Sequence, residues 1–374
     1  MKVSKRISGI QMSGIRKMFD LAGSDSVNLG LGEPDLAPPV QAIEGMSNAA
    51  AAGLNKYGPT AGIPELREAV ASRYSMYGDI SAGNIMITPS GSTALMEITQ
   101  SMIDPGDEVL IPSPGFVIYD PHVRLADGKP VEYRLTDGDF QPDIDDIQSR
   151  ITPATRMIVV TTPSNPTGGV LTRETKDALC DIAVDRGITI LADEVYDSFV
   201  YEGEHVSFMD RLDTSVVVNG FSKMMAVTGW RMGFLCADES IMDTFVKMQY
   251  HVCANPNTPA QHGILAAMPH LDPYLENARR VFRARRDLIS SRINDIPGMG
   301  IVPPKGAFYA FPSYDMDIPS ADLAMELARE GLICTPGSAF GTYGEGHLRF
   351  SYAADEGKIN AGMDILEKVV HRIR

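Results

Sequence analysis

Long apolar runs are missing from this chain. Nowhere does it approach the roughly 20 apolar residues that a helix needs to cross a bilayer. The opening Met1-Lys2-Val3-Ser4-Lys5-Arg6 lacks the apolar stretch of a signal peptide. Cysteine is scarce: Cys180, Cys236, Cys253 and Cys334 are scattered, with no CxxC pair. That spacing indicates neither a zinc site nor a redox motif, and isolated thiols suit a reducing cytoplasm. No internal repeat or low-complexity linker interrupts the sequence. Positive charge is in the minority, with 33 Lys and Arg against 48 Asp and Glu, a formal net charge of −15. Such a surface disfavours nucleic acid and anionic membranes, because both are polyanions. An anionic ligand must then be drawn in by a local cluster of Arg or Lys.

What is present is a globular α/β pattern. The 374 residues suit one large domain with a smaller partner. Six runs read as strands: Ile85–Thr88, Glu108–Ile111, Met157–Thr161, Thr189–Ala192, Ser215–Asn219 and Met232–Cys236. They are nearly continuous apolar runs rather than alternating ones, as expected of strands covered on both faces. Helical patterns lie between them. Glu65–Met76 follows Gly62-Ile63-Pro64, with Pro at the helix start. Thr93–Ile103 sets Ala94, Leu95, Ile98 and Met102 on one stripe. From about residue 270 the texture changes to a long charged helix, Pro273–Ile296, then short strands at Ala307–Phe311 and Leu348–Tyr352, then two terminal helices. The expected division is a large domain over 46–270 and a smaller α+β domain over 271–374, against which residues 1–45 pack.

Chemistry-bearing residues fall at the expected strand ends. Lys223, in Phe221-Ser222-Lys223, lies just past Ser215–Asn219, where ligands of open α/β sheets bind. Gly229-Trp230-Arg231 leads into the next strand, so Lys223 and Arg231 can face one pocket. Burial lowers a lysine's pKa and favours Schiff-base chemistry. Asp193, in Ala192-Asp193-Glu194-Val195-Tyr196, follows Thr189–Ala192; a carboxylate there can keep a pyridine nitrogen protonated, and Tyr196 can reach the same ring. In Pro163-Ser164-Asn165-Pro166-Thr167-Gly168 two prolines rigidify the backbone around Asn165. This reads either as a plain turn or as a fixed hydrogen-bond donor. Ser90-Gly91-Ser92 opens the helix Thr93–Ile103, where small residues and free N–H groups suit a phosphate. Gly30-Leu31-Gly32 is no dinucleotide fingerprint, because Glu33-Pro34 rather than a helix follows it.

Taken in order, these residues resemble the class I/II aminotransferases of pyridoxal-5′-phosphate (PLP) fold type I, and the archaeal and bacterial branch with aspartate and aromatic aminotransferases most of all. The resemblance runs over nearly the whole chain. It rests on Asn28-Leu29-Gly30-Leu31-Gly32-Glu33-Pro34-Asp35, Lys56-Tyr57-Gly58-Pro59-Thr60-Ala61-Gly62 and Asp104-Pro105-Gly106-Asp107-Glu108-Val109. Further on it includes Ser164-Asn165-Pro166-Thr167-Gly168, Asp193-Glu194-Val195-Tyr196, Ser222-Lys223 and Gly229-Trp230-Arg231-Met232-Gly233. Gly306-Ala307-Phe308-Tyr309 and Leu348-Arg349-Phe350-Ser351 complete it. The resemblance implies a three-layer αβα large domain with a mostly parallel mixed sheet, and a smaller α+β domain. It implies Lys223 as Schiff-base residue and proton shuttle, Asp193 at the pyridine nitrogen, and Asn165 and Tyr196 at the ring hydroxyl. Gly91, Ser92, Ser222 and Arg231 would bind the phosphate and Phe116 would stack on the ring. Tyr57 would reach the phosphate of a neighbouring subunit, making a cytoplasmic homodimer with shared sites. Arg349 would clamp the substrate α-carboxylate with two parallel hydrogen bonds, which Lys cannot match, and Gly32 would let the backbone approach the substrate.

The expected reaction is transamination between an L-amino acid, aspartate first and aromatic residues second, and a 2-oxo acid such as 2-oxoglutarate. Ser92 stands where several relatives that use acidic substrates carry Lys, and Met224-Met225-Ala226 where Thr-Tyr-Ala is commoner. Arg16 is a candidate for a distal carboxylate. Two alternatives are a C–S lyase of the same fold and a ligand-sensing regulator; the latter needs a DNA-binding domain for which the chain has no room. Arg279, Arg280, Arg283, Arg285 and Arg286 read as a solvated helix face. Asp137, Asp139, Asp143, Asp145 and Asp146 lack the EF-hand spacing, so no metal site is expected.

Overall fold

The computed structural model describes residues 3–10, 23 and 26–374. Its main sheet has β1 (Ile85–Thr88), β2 (Glu108–Ser113), β3 (Lys129–Arg134), β4 (Thr155–Thr161), β5 (Thr189–Asp193), β6 (Ser215–Gly220) and β7 (Gly233–Cys236). The order is β1-β7-β6-β5-β4-β2-β3, and only β7 runs antiparallel to its neighbours. The six expected strands are all there. The seventh, β3, was not anticipated: it is an edge strand whose exposed Lys129 and Arg134 and internal Pro130 break any apolar run.

Residue alternation along each strand explains the layers. Ile87, Leu110, Ile158, Ile190, Val217 and Phe234 join one core. Met86, Val109, Val159, Leu191, Val218 and Leu235 join another on the opposite face. Helices cover both faces: α1 (Val40–Ala51), α2 (Pro64–Tyr74), α3 (Gly91–Met102), α4 (Arg173–Arg186), α5 (Glu239–Cys253) and α6 (Thr258–Ala267). The first core takes Leu66 and Val70 of α2, Leu179 and Ala183 of α4, and Ile264 of α6. The second takes Ala94, Leu95 and Ile98 of α3 with Met242 and Phe245 of α5. Each fully buried Leu, Ile or Phe contributes about 1.5–3 kcal/mol. Local signals set the helix ends. On α4 the Thr172 side chain accepts from Thr175 N, and Gly187 closes the helix in the left-handed region at φ 64°.

A third core is built from later elements: α7 (Leu271–Asn294), α8 (Ser320–Arg329), α9 (Glu356–Ile373), and a small antiparallel sheet of β8 (Tyr309–Ala310), β9 (Thr335–Pro336) and β10 (Leu348–Ser351) in the order β8-β10-β9. Only α9 is terminal; α8 falls between β8 and β9 rather than after the last strand. The early segment divides between cores. Val27–Asn28 pairs in parallel with Leu332–Ile333 and Leu29 is buried in the third core, whereas Ala42 of α1 belongs to the first. Helix α7 likewise begins in the first core at Leu271 and Leu275 and continues into the third at Ala278 and Phe282.

The arginines of α7 correct the reading of a solvated face. Arg285 and Arg286 are buried. Arg285 makes two hydrogen bonds to Asp35, at 2.6 and 3.0 Å, and Arg286 pairs with Glu202 and Asp287. They bind the early segment and the post-β5 region to α7. The aspartates at 137–146 make local contacts instead: Asp143 caps a short helix, and Asp146 accepts from Arg134 N and Arg150 Nε.

Candidate active site

The carboxyl ends of β5 and β6 open on a cavity of about 230 Å³. Of the expected site residues other than Tyr57 and Arg16, all line it: Gly32, Gly91, Ser92, Phe116, Asn165, Asp193, Tyr196, Ser222, Lys223, Arg231 and Arg349.

Lys223 sits in the short helix Phe221–Met224 directly after β6. It is half-buried and faces the cavity, and its Nζ donates to Gly32 O at 2.6 Å. Desolvation is the main force on its amine; Glu33 opposes it, and Arg231 and Arg349 add to it. The result is a pKa of about 8 against the usual 10.5. Such an amine is a competent nucleophile near neutral pH.

Asp193, the last residue of β5, is buried. Its Oδ2 accepts from the Tyr119 hydroxyl at 2.7 Å and its Oδ1 from Val195 N at 3.4 Å. Desolvation raises its pKa to about 6, against the pull of those two hydrogen bonds. A buried carboxylate of this kind favours a cation beside it.

Arg349 comes from β10, where Leu348 and Phe350 point into the third core. Its guanidinium lies 4.7 Å from the Tyr309 ring centroid and 5.0 Å from that of Phe340. Nη1 donates to Asn165 Oδ1 at 3.0 Å; Nη2 donates to Gly30 O and, at 3.2 Å, to Thr335 Oγ1. The buried Nε has no partner among the described residues. A planar, oriented guanidinium of this sort recognises a carboxylate.

The fourth component is the start of α3. Ser90, at φ 146°, caps the helix by accepting from Thr93 N at 3.1 Å, leaving Gly91 and Ser92 in the first turn. A Cβ on Gly233 would come within 2.5 Å of Gly91 N, so glycine is what lets β7 pass beneath that turn. Arg231 adopts φ 55° and Ser222 lies beside it in the same lining. Free N–H groups, hydroxyls and a guanidinium make an anion cradle.

Residues 24–366 match the family model for aminotransferase class I and II. The chain belongs to the class I and II aminotransferase family. It is 38% identical to a probable aspartate aminotransferase of Methanocaldococcus jannaschii, over 98% of this chain and 99% of that one. It is 39% identical to aromatic-amino-acid aminotransferase 2 of Thermococcus litoralis, over 99% and 98%. Its fold superposes on aspartate aminotransferase from Thermus thermophilus with maleate at a TM-score of 0.94 and 33% identity, covering 99% of this chain and all of that one.

Two aromatic residues of this aminotransferase site carried no role in the sequence reading. Tyr119 holds Asp193 and also meets Thr161 Oγ1 at 2.7 Å. Tyr309 stacks on Arg349 and shares a hydrogen bond of 2.7 Å with the Tyr196 hydroxyl. A buried tyrosine reads as core from sequence. The available signals were the three-residue step from Phe116 to Tyr119, close to one helical turn, and the place of Tyr309 in a motif already singled out. Gly32 gains a further reason: a Cβ there would lie 1.9 Å from the Tyr309 hydroxyl oxygen. Tyr57 stands outside the cavity of its own chain and is 90% exposed. Arg16 lies outside the described residues.

Proposed function

We propose that this aminotransferase uses PLP and exchanges the amino group of an L-amino acid, aspartate first and aromatic residues second, with a 2-oxo acid such as 2-oxoglutarate. The observation that carries the reading is one cavity holding a depressed amine, a buried carboxylate and an aromatic-stacked guanidinium: Lys223, Asp193 and Arg349. The donor set fits the cofactor. The cradle of Gly91, Ser92, Ser222 and Arg231 suits its phosphate, and the Asp193 carboxylate suits a protonated ring nitrogen.

Bound PLP supplies an electron sink that makes the Cα–H of an attached amino acid acidic. The chain does the rest. Lys223 would hold the cofactor through Nζ and, when freed, would be the group that carries the proton between the substrate Cα and C4′. Asp193 keeps the ring nitrogen protonated. Asn165 uses its Oδ1 on Arg349, which leaves Nδ2 to donate to the ring hydroxyl alongside Tyr196. Phe116, in the cavity lining, would stack on the ring. Arg349 would bind the substrate α-carboxylate through guanidinium N–H groups not engaged by Asn165, Gly30 and Thr335, and Gly32 would give the substrate room. Aspartate stands in the names of more of the relatives than aromatic amino acids do, which supports the order of donors.

The working molecule is a homodimer in this reading, with the exposed Tyr57 reaching the partner's phosphate site. In this reading its domains divide near 46 and 270, the early segment through Leu29 packing on the small domain while Ala42 of α1 joins the first core. Four free cysteines, three of them buried, support a cytoplasmic location. No helix of the described residues is long and apolar enough to cross a membrane.

The test is a half-reaction panel: each of the twenty amino acids added singly to holoenzyme while the cofactor's visible absorption is followed. Aspartate, with aromatic residues next, should convert the cofactor to its amine form, and Lys223→Ala should abolish that conversion. Pyruvate and ammonia released without an amino acceptor would identify a lyase instead, and full turnover by Lys223→Ala would end the proposal.

A further inference from the structure

Two chain segments bring the cofactor-facing groups together: the turns after β5, with Asp193 and Tyr196, and the end of β6, with Ser222 and Lys223. The last main-chain hydrogen bond between them runs from Glu194 N to Val218 O at 2.8 Å. Beyond it, among the described residues, main-chain bonds no longer join 195–199 to 219–224. One buried amide continues the connection. Asn219 has no exposed surface, and alternation along β6 turns it away from Val218, toward the layer of α2. Its Nδ2 donates to Asp197 Oδ2 at 2.9 Å and to the Tyr74 hydroxyl at 3.1 Å, while its Oδ1 accepts from Gly220 N at 2.6 Å. Tyr74, at the end of α2, donates its own hydroxyl to Asp197 Oδ2 at 2.6 Å.

Asp197 closes the turns that carry the site. Its N–H donates to Glu194 O at 3.0 Å, and Phe199 N donates to Tyr196 O at 2.8 Å, so a shift of Asp197 moves Tyr196 with it. Neither Asn219, Asp197 nor Tyr74 lines the cavity. A buried amide using both ends in this way fixes geometry, because leaving either end unpaired is unfavourable. We propose that Asn219 is a positioning residue for transamination, holding the Lys223 segment in register with the Asp193–Tyr196 turns through Asp197 and Tyr74. The inference rests on the functional reading above.

The experiment exchanges donor and acceptor in the holoenzyme. Asn219→Asp sets a second carboxylate against Asp197 and breaks the connection; adding Asp197→Asn restores an amide–carboxylate pair with the roles reversed. Four quantities are read: kcat, KM for the amino donor, the pH midpoint of the cofactor's visible absorption, and melting temperature. A misplacement of this kind lowers kcat by about ten- to hundredfold. KM changes less than kcat, since Asn219 touches neither Arg349 nor its partners Asn165, Gly30 and Thr335, and the absorption midpoint moves because the Lys223 amine has shifted. The double variant returns kcat and the midpoint toward the parent. If Asn219→Asp does not fold, Asn219→Ser is read in the same way. A folded variant with parental kcat and midpoint overturns the inference. So does a loss of kcat that leaves the midpoint in place and is not rescued by Asp197→Asn. A parent enzyme that transaminates no amino acid ends the functional reading itself; an active parent with indifferent Asn219 variants ends only this inference.

Discussion

Burial makes the Asp193 carboxylate unfavourable until a cation sits beside it. Its pKa is raised to about 6, against 3.8 for an unperturbed Asp. The folded state therefore holds a proton that the unfolded chain has released between those values. The stabilising contribution of the neutral form is fully present below about pH 4 and is lost as pH rises through 6. At pH 8 the ionised group weakens the cofactor-free fold by about 3 kcal/mol at most, two pKa units' worth. Asp193→Asn should thus raise the melting temperature of cofactor-free protein at pH 8, and the gain should shrink toward zero below pH 4, while the loaded variant loses turnover. An equal or lower melting point for the variant at pH 8 would contradict this. Much of the site was legible at this scale because Lys223, Asp193 and Asn165 directly follow apolar strand runs. Tyr119 and Tyr309 were not legible: their hydroxyls act on groups distant in sequence, and only the folded chain brings them to Asp193 and Arg349.

Elements fix which of these groups meet. The segment before α1 delivers Gly32 to Lys223, and β8 delivers Tyr309 to the same place, so the two approach within a distance that admits no side chain. Gly32→Ala must drive the Tyr309 ring aside, because the new Cβ would lie 1.9 Å from its oxygen and 2.7 Å from Cζ. Movement of that ring breaks the hydrogen bond to Tyr196 and uncovers one face of Arg349. The expected result is a KM for the amino donor raised by about tenfold or more, since one methyl-sized displacement disturbs Arg349, the proposed carboxylate clamp. Steady-state kinetics on the variant decide the matter; a KM within about twofold of the parent would show that Tyr309 yields without disturbing Arg349. The elements themselves were unevenly legible. Strands buried on both faces announce themselves as apolar runs, which is how β4, β5 and β6 were read. The edge strand β3 carries Lys129, Glu132 and Arg134, so its pairing with β2 is decided by neighbours rather than by its own pattern. The buried pairs of Arg285 and Arg286 were hidden for a related reason: their partners, Asp35 and Glu202, lie far away in sequence.

At the scale of the whole molecule, the second and third cores meet at one cavity, Leu95 and Phe116 lining it from one and Tyr196 and Tyr309 from the other, and its lining is drawn from residues as far apart as Leu31 and Arg349. The α/β class was legible from the strands that the first two cores share residue by residue, and the change of texture near residue 270 because the third core draws mostly on residues from Ala278 onward. The distribution of the early segment between two cores was not, since Leu29 and Ala42 are both merely apolar until their neighbours are known. Tyr57 raises the remaining question at this scale. In one chain it projects into solvent, an unfavourable place for a large aromatic ring, and takes no part in its own cavity. A two-fold assembly that carries Tyr57 into a neighbouring site gives it both cover and a phosphate to bind. Complementation tests this directly. Tyr57→Ala chains keep Lys223 but lack the donated hydroxyl, and Lys223→Ala chains keep Tyr57 but have no reactive amine. Each homodimer is impaired in both sites. In a hybrid of the two, the site built on the Tyr57→Ala chain receives Tyr57 from its partner and is whole, so each hybrid dimer recovers about half the parental turnover. Mixed, dissociated and reassociated variants should regain activity in proportion to the hybrid fraction. Activity that never exceeds the sum of the two separate homodimers would mean that Tyr57 serves no site across the interface.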